Sequence, residues 1–502
     1  MGNKDEEQKK DKIRLDETHI VEREKRIADA KEAHQKSRKT EEFGNEQMTV
    51  NNAATRLMDK HFNKFKWVIE WEDWLVWDGK RWSKVRGKSE LGKKTRKFAA
   101  KEWDRLKNSS MSADEQKAYI RYAKQVNDGN CIEKLMKLAA YDERVAISQE
   151  ELDADEFLLN CNNCTYDLKS GKFHDHQQED LLTQLLPVDF DKSAKCDEWG
   201  KFINMIFDGD SDLIRYVKTI AGYALAGTIE ETILPICIGN GRNGKSTFWN
   251  TIAAILGDYA GTVSQDLLLP AYNQHPTEIA DLKGKRFVAV EEPSSGRGLD
   301  EQRVKAMTGD DVLKARRMRE NFWSFKPTHT FWLSANYLPE ISGDDEGIWR
   351  RVKTIPFNID LADVVDEIRT DFRAELVEEY PGILQWLIQG WHDYQKTKLT
   401  PIEPEAVRQA TAQYRKDENS FTQFIAEGLI EAPGRVIESG EAYRRYCEFE
   451  RNMAKQLTRK KFGMEMAKKF KKEVWDRKPF RKKTVYSGVG DIIDDNGNII
   501  TG

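Results

Sequence analysis

Ile233–Trp249 reads ILPICIGNGRNGKSTFW. The apolar run from Ile233 to Ile238 reads as a strand that drops into a glycine-rich loop, and Ser246 opens what reads as a helix. The loop (Gly239, Asn240, Gly241, Arg242, Asn243, Gly244, Lys245, Ser246) fits G-x-x-x-x-G-K-[ST]. Glycines let backbone N–H groups turn inward around phosphate oxygens, and the helix N-terminus that follows favours negative charge. Lys245 is placed to neutralise β- and γ-phosphate oxygens and Ser246 to ligate Mg²⁺, with Thr247 beside it. So short a pattern recurs by chance, but here the strand before it and the helix after it supply the required context. The expectation is a nucleotide site that takes ATP with Mg²⁺.

Further along, Arg286–Glu292 reads RFVAVEE, an apolar strand running into two carboxylates. Glu291 is the candidate to hold Mg²⁺, directly or through water, and Glu292 to polarise the attacking water. Such an acid pair is common at surface turns; its place downstream of the loop gives it weight. Thr330–Asn336, TFWLSAN, reads as a third buried strand ending in Ser334 and Asn336. An amide there can orient the lytic water or sense the γ-phosphate, although asparagine also suits an ordinary turn. GIWRRVKTIPF then sets Arg350 and Arg351 before another strand. One of the two is a candidate arginine finger for a neighbouring subunit; the alternative is a surface pair on a loop.

Between the acids and the asparagine, Val312–Arg317 and Phe322–Phe325 read as two strands about a Met318–Asn321 turn. Lys314, Arg316, Arg317 and Arg319 then stand on or near a hairpin tip, where they suit phosphate tracking along a single strand. A solvated, lysine-guarded edge is the alternative.

The chain has 502 residues, enough for two to four domains by the usual allowance of about 100–200 residues each. Its net charge of −4 means any basic surface is local. Six scattered cysteines fit a reducing compartment better than a disulfide framework. The polar start MGNKDEEQKK is unlike a signal peptide, and no apolar run approaches a membrane span. A cytoplasmic protein without membrane contact is expected.

Residues 1–47 read as a charged tail. Trp67–Trp82, WVIEWEDWLVWDGKRW, alternates aromatics about Asp78–Gly79 and signals a β-hairpin. Its aromatics could stack on bases; packing under a sheet is preferred. Residues 89–145 read as helical, and Phe157–Phe173 as β-rich with a turn at Ser170–Gly171. Cys161 and Cys164 form a C-x-x-C with His174 and His176 downstream, but a zinc site would need all four to converge, so structural thiols are preferred. Asp197–Ala226 reads as helical. Pro401 and Pro404 suggest a linker.

The order GNGRNGKST, VAVEE, TGDD–KARR, LSAN and WRR–IPF resembles the superfamily 3 helicases, in particular the poxvirus-like primase-helicase group of phages, plasmids and integrative elements. Upstream, FLLNCNNCTYDLKSGKFHDH is similar to the family's N-terminal domain, with Cys164 where that pattern has glycine. The resemblance covers residues 60–360 and, more loosely, the tail. It implies a multidomain α/β fold: an AAA+-like P-loop ATPase core, an α+β N-terminal domain and a C-terminal winged-helix-like domain. It also implies a homo-oligomeric ring, usually a hexamer, moving 3′ to 5′ along single-stranded and forked DNA, with a separate primase or replication protein as a further partner. Carried over, Lys245 and Ser246 are the P-loop pair, Glu291 and Glu292 the acids and Asn336 the sensor. Arg316 or Arg317 becomes a DNA contact, and Arg350 or Arg351 the finger. A primase domain in this chain is not expected.

The tail reads as three helices (Phe421–Glu431, Gly440–Ala454, Thr458–Val474) and a basic hairpin. Residues 455–483 hold 13 Lys/Arg against 3 Asp/Glu. A winged helix would set Lys460, Lys461, Lys468, Lys469 and Lys471 on or beside its recognition helix, against phosphates; a solvated basic helix is the alternative. The expected layout is tail 1–47, N-terminal domain 48–200, helical connector 201–228, ATPase 229–395, linker 396–419 and winged helix 420–502. The expected activity is an ATP-dependent DNA helicase. An ATP-switched replication initiator or loader is the first alternative, and a P-loop defence or signalling ATPase that touches no DNA is the second.

Overall fold

The computed structural model describes residues 48–107, 112–270, 276–290, 298–317, 322–341, 345–364, 372–418, 420–451, 456–477 and 481–490. The chain divides into two compact units between Leu185 and Leu186, earlier than the boundary at 200 expected from sequence.

In the first unit, Thr49 accepts a hydrogen bond from the Asn52 amide to start helix α1 (Val50–Asp59), which buries Ala53, Ala54, Leu57 and Met58. Three further helices follow: α2 (Gly87–Lys107), α3 (Ala113–Val126), opened by a Ser112/Glu115 capping box, and α4 (Gly129–Ala139). They pack with a sheet of order β3-β2-β1-β4, formed by β1 (Phe65–Val68), β2 (Asp73–Trp77), β3 (Trp82–Ser83) and β4 (Ala146–Ile147). The expected single hairpin is therefore two. Glu72, at φ 48°, lies in the β1–β2 turn, and Asp78–Gly79 joins β2 to β3. Trp74 and Trp82 are buried, as the packing alternative requires. A Cβ on Gly87 would lie 1.7 Å from the Trp74 carbonyl oxygen, so only glycine can start α2 against that strand. A meander of β5 (Leu158–Asn160), β6 (Thr165–Asp167) and β7 (Lys172–His174) follows, its second turn at Ser170–Gly171 as expected.

The second unit opens with α5 (Asp197–Ile206), which buries Trp199, Phe202, Ile203 and Ile206, and α6 (Ser211–Tyr223). Its centre is a sheet of five strands: β8 (Leu234–Ile238), β9 (Ala260–Val263), β10 (Phe287–Val290), β13 (Thr330–Ala335) and β14 (Val352–Pro356). They are ordered β14-β8-β13-β10-β9, and every neighbouring pair is parallel. Strands buried on both faces read as apolar runs rather than alternations, which is why LPICI and FVAV were legible. Helix α7 (Lys245–Leu256) follows β8. The hairpin of β11 (Leu313–Ala315) and β12 (Trp323–Phe325) precedes β13 and pairs Lys314 with Ser324. A short helix, α8 (Glu346–Trp349), precedes β14. Helix α9 (Tyr380–Thr397) packs on α6 so closely that a Cβ on Gly222 would lie 2.2 Å from the Trp391 nitrogen.

The segment expected as a linker holds a 14-residue helix, α10 (Glu405–Glu418), that covers β14. The tail is α11 (Ser420–Gly428), β15 (Ile430–Glu438), α12 (Ser439–Phe449), α13 (Arg459–Lys469), β16 (Lys471–Arg477) and β17 (Arg481–Gly490), with sheet order β15-β17-β16. Two expectations are corrected here. A strand stands between the first two helices, and the third helix ends at Lys469. Phe470 turns extended (φ −125°, ψ 148°) and is buried, so Lys471 lies on a strand paired with Ser487.

Candidate functional site

The loop between β8 and α7 is held in an open curl by positive φ at Gly241 (91°), Arg242 (46°) and Gly244 (84°). At two of its glycines, neighbours leave no room for a side chain. A Cβ on Gly239 would lie 2.4 Å from the Phe357 carbonyl oxygen, and one on Gly244 would lie 2.6 Å from Ile206 Cγ2. The chain just past β14 stitches the loop down. Asn243 Nδ2 donates to Phe357 O (3.3 Å), the Leu361 amide donates to Arg242 O (2.8 Å), and Arg242 pairs with Asp360 (3.2 Å). Nothing in IPFNID marked those residues as loop supports. Asn240 and Ser246 are exposed, and Thr247 is half-buried.

Strand register brings Asn336 to the same edge. Ala335 pairs with Ile238, and the Gly239 amide donates to Ala335 O (3.2 Å), which sets Asn336 beside the loop. Lys245, only 5% exposed, donates from Nζ to Gly239 O (2.5 Å) and to Asn336 Oδ1 (3.3 Å). A lysine and an asparagine some ninety residues apart in sequence are thus one cluster. Burial pushes the Cys237 thiol beneath them well above the ordinary cysteine range, so it packs as a neutral side chain. Strand β10 ends at Val290, level with Leu333; Glu291 and Glu292 lie outside the described residues.

Arg350 and Arg351 lie at the other end of the sheet. The Leu234 amide donates to Arg351 O (2.7 Å), and Val352 pairs with Leu234 while Pro356 pairs with Ile238. At about 3.3 Å per residue, the length of β8 puts roughly 15 Å between them and the chain's own loop. The two arginines differ. Arg351 donates through Nε to Thr308 Oγ1 (3.1 Å) and through a terminal nitrogen to Gly347 O (2.7 Å). Burial and the neighbouring charge of Arg350 lower its pKa. Arg350 is exposed and lines a cleft of about 530 Å³ with Glu346, Trp349, Arg408 and Arg415, away from the glycine loop.

On the hairpin, Lys314, Arg316 and Arg317 are exposed. Arg316 lies over the Phe322 ring (4.7 Å), and Arg317 pairs loosely with Asp281 (3.6 Å). Arg319 lies outside the described residues. In the tail, α13 buries Phe462 and Met466 and exposes Lys460, Lys461, Lys468 and Lys469; Lys468 pairs with Glu465. The thiols of Cys161 and Cys164 are buried, and the Cys161 amide donates to Cys164 O (2.9 Å). His174 faces Asp180 instead. Among the described residues no helix is long and apolar enough to cross a membrane.

Fold and site together define a multidomain α/β protein whose parallel sheet presents a glycine loop, a lysine and an asparagine at one edge. Residues 54–208 match the family model described as D5 N terminal like, and residues 237–351 match a family of unknown function, DUF5906. A mimivirus protein named "Putative helicase L207/L206" (Acanthamoeba polyphaga mimivirus) is 29% identical over 300 residues, covering 56% of this chain and 31% of the relative. "Putative helicase 022R" of Frog virus 3 is 23% identical, over 59% of this chain and 39% of the relative. "Putative primase C962R" of African swine fever virus is 22% identical, over 60% and 34%. The apo structure of NrS-1 C terminal region-CTR aligns over 84% of this chain and 96% of that one, at 12% identity and a TM-score of 0.47, a likeness too loose to bear on the fold. Residues 54–208 are thus similar to the D5 N-terminal family, and the chain is similar to proteins named putative helicase and putative primase in large DNA viruses. It spans about a third of the length of these viral relatives.

Proposed function

We propose that this chain is an ATP-dependent DNA helicase that works in genome replication as a hexameric ring. The observation that carries the reading is the meeting of Lys245 and Asn336 at the mouth of the glycine loop. There an ammonium faces the β/γ-phosphate position, and an amide is within reach of it to orient water or sense the γ-phosphate. The loop and the exposed Ser246 suit ATP with Mg²⁺; Ser246 and Glu291 would hold the ion, and Glu292 would polarise the attacking water. The described part of this set, a glycine cradle too tight for a Cβ plus a serine hydroxyl at the helix start, fits such a group.

Arg350 lies some 15 Å from its own chain's loop. It therefore serves a neighbour's site or none, and this is the physical ground for a ring. The exposed cations of the β11–β12 hairpin would grip the phosphates of a single strand, and translocation would run 3′ to 5′. The tail's order of helix, strand, two helices and antiparallel pair suits a winged helix, and the lysines of α13 are exposed. Those lysines also favour a second reading, an ATP-switched initiator or loader on duplex origin DNA.

The test is strand displacement on 3′- and 5′-tailed forks with the wild-type chain and Lys245→Ala. The expected outcome is ATP-dependent unwinding of one fork polarity by the wild type and none by the variant. DNA-stimulated hydrolysis without displacement favours the initiator, and equal unwinding by both proteins overturns the motor.

A further inference from the structure

The whole chain carries a net charge of −4, yet two segments of the first unit are wholly cationic. Residues 60–64 hold Lys60 and Lys64, residues 93–101 hold Lys93, Lys94, Arg96, Lys97 and Lys101, and neither contains Asp or Glu. The fold brings them together. Lys60 caps α1, and its Nζ lies 5.8 Å from the centroid of the Phe98 ring on α2. His61 sits among them: burial first, and then the charges of Lys94, Lys60, Lys64 and Lys101, hold its imidazole below the ordinary histidine range.

On α2, Lys94, Lys97 and Lys101 recur at i, i+3 and i+7 and share a face. Lys60, Lys64, Lys97 and Lys101 are exposed, and Lys94 is half-buried. The stripe runs from Glu90, which Lys93 holds at 2.8 Å, to Asp104. Glu102 turns inward, 1% exposed, toward Arg56 and Tyr119. Among the described residues, Lys64, Lys94, Lys97 and Lys101 have no ion-pair partner.

Lysine is depleted at protein interfaces, and binding hot spots there are built on Trp, Tyr and Arg anchors. Among the described residues of this unit, the exposed large apolar ones (Ile69, Val85, Tyr141 and Phe173) lie outside both segments. A line of point charges on long stems suits a phosphate backbone instead. Lys94 to Lys101 spans about 10 Å at 1.5 Å rise per residue. That length covers about three phosphates of one B-DNA strand.

We propose that Lys60, Lys64, Lys94, Lys97 and Lys101 form a further DNA-binding surface, on the first unit, that holds the phosphate backbone without reading bases. It rests on the reading that this chain works on DNA, but on neither the hairpin nor the tail.

The experiment is a salt titration of binding to a labelled forked DNA. It compares the full wild-type chain, Lys94→Gln/Lys97→Gln/Lys101→Gln, and Arg96→Gln, which removes a cation from another face of α2. The triple variant is expected to lower the slope of log K against log salt by about 0.9 per lost contact, near 3 in all. Arg96→Gln is expected to keep the wild-type slope. A triple variant with the wild-type slope overturns this surface and leaves the helicase reading standing. A wild-type chain with no salt-dependent DNA binding overturns both. Should the triple variant fail to fold, titration of His61 in the wild type decides: bound phosphates must raise its pKa by cancelling the lysine field, and an unmoved His61 overturns the proposal.

Discussion

Arg350 and Arg351 are adjacent in sequence and opposite in setting. Arg351 is fastened to Thr308 and Gly347, while Arg350 is exposed. Removing Arg351 leaves two acceptors without their charged donor, which costs about 1–3 kcal/mol. Arg351→Ala should therefore lower the thermal midpoint, and with it every activity. Arg350→Ala should leave stability within about 0.5 kcal/mol. Its loss should fall on ATP hydrolysis by the assembled protein, measured as turnover against protein concentration. Full turnover by assembled Arg350→Ala would remove it from the finger role. The motif WRR told of two cations before a strand; the contacts to Thr308, distant in sequence, and to Gly347 separate a positioning arginine from one that reaches outward.

Among the elements, α10 shows where reading by composition stops. Two prolines and a polar, charged run suggested a linker, yet Val407 and Tyr414 are buried. The Tyr414 ring meets Trp349 at 5.1 Å, and its hydroxyl donates to Pro339 O. The Thr354 amide donates to Thr411 Oγ1 (3.0 Å), so α10 also answers a backbone group of β14. Tyr414→Ala is expected to cost about 3–5 kcal/mol, the range for a large buried aromatic. Chemical denaturation followed by tryptophan fluorescence would measure it; a change under about 1 kcal/mol would return the segment to linker status. The tail went astray for a related reason. Lysines at 468, 469, 471 and 472 continue the look of a basic helix, but Phe470 is needed in the core and Val474 and Trp475 pair across to β17.

For the molecule as a whole, His329 is expected to make stability sensitive to acid. It is 3% exposed just before β13, its ring lies 4.5 Å from that of Phe331, and neither ring nitrogen has a hydrogen-bond partner among the described residues. Burial lowers its pKa to about 3, from the 6.5 of an unperturbed histidine. Between those values the unfolded chain binds one more proton than the folded one, so stability rises with pH across the window and is lost on acidification. The slope is up to about 1.4 kcal/mol per pH unit. His329→Phe should flatten the dependence of the urea midpoint on pH between 4 and 6.5. An unchanged slope would place the acid sensitivity elsewhere.

The local patterns were sufficient where one short stretch carries the whole signal. The glycine loop between strand and helix, the buried strands and the β11–β12 hairpin all follow from periodicity, turn residues and charge that neighbours in sequence share. What depends on residues far apart was out of reach: the strand order β14-β8-β13-β10-β9, the Lys245–Asn336 contact, the stitching of the loop by Phe357 and Asp360, and the two faces of the arginine pair. Parallel strands are joined by long crossovers, so their neighbours are chosen by packing of the whole core and not by adjacent residues. The site is assembled by that choice. Sequence alone named most of its parts, and the sheet's register decided which of them meet.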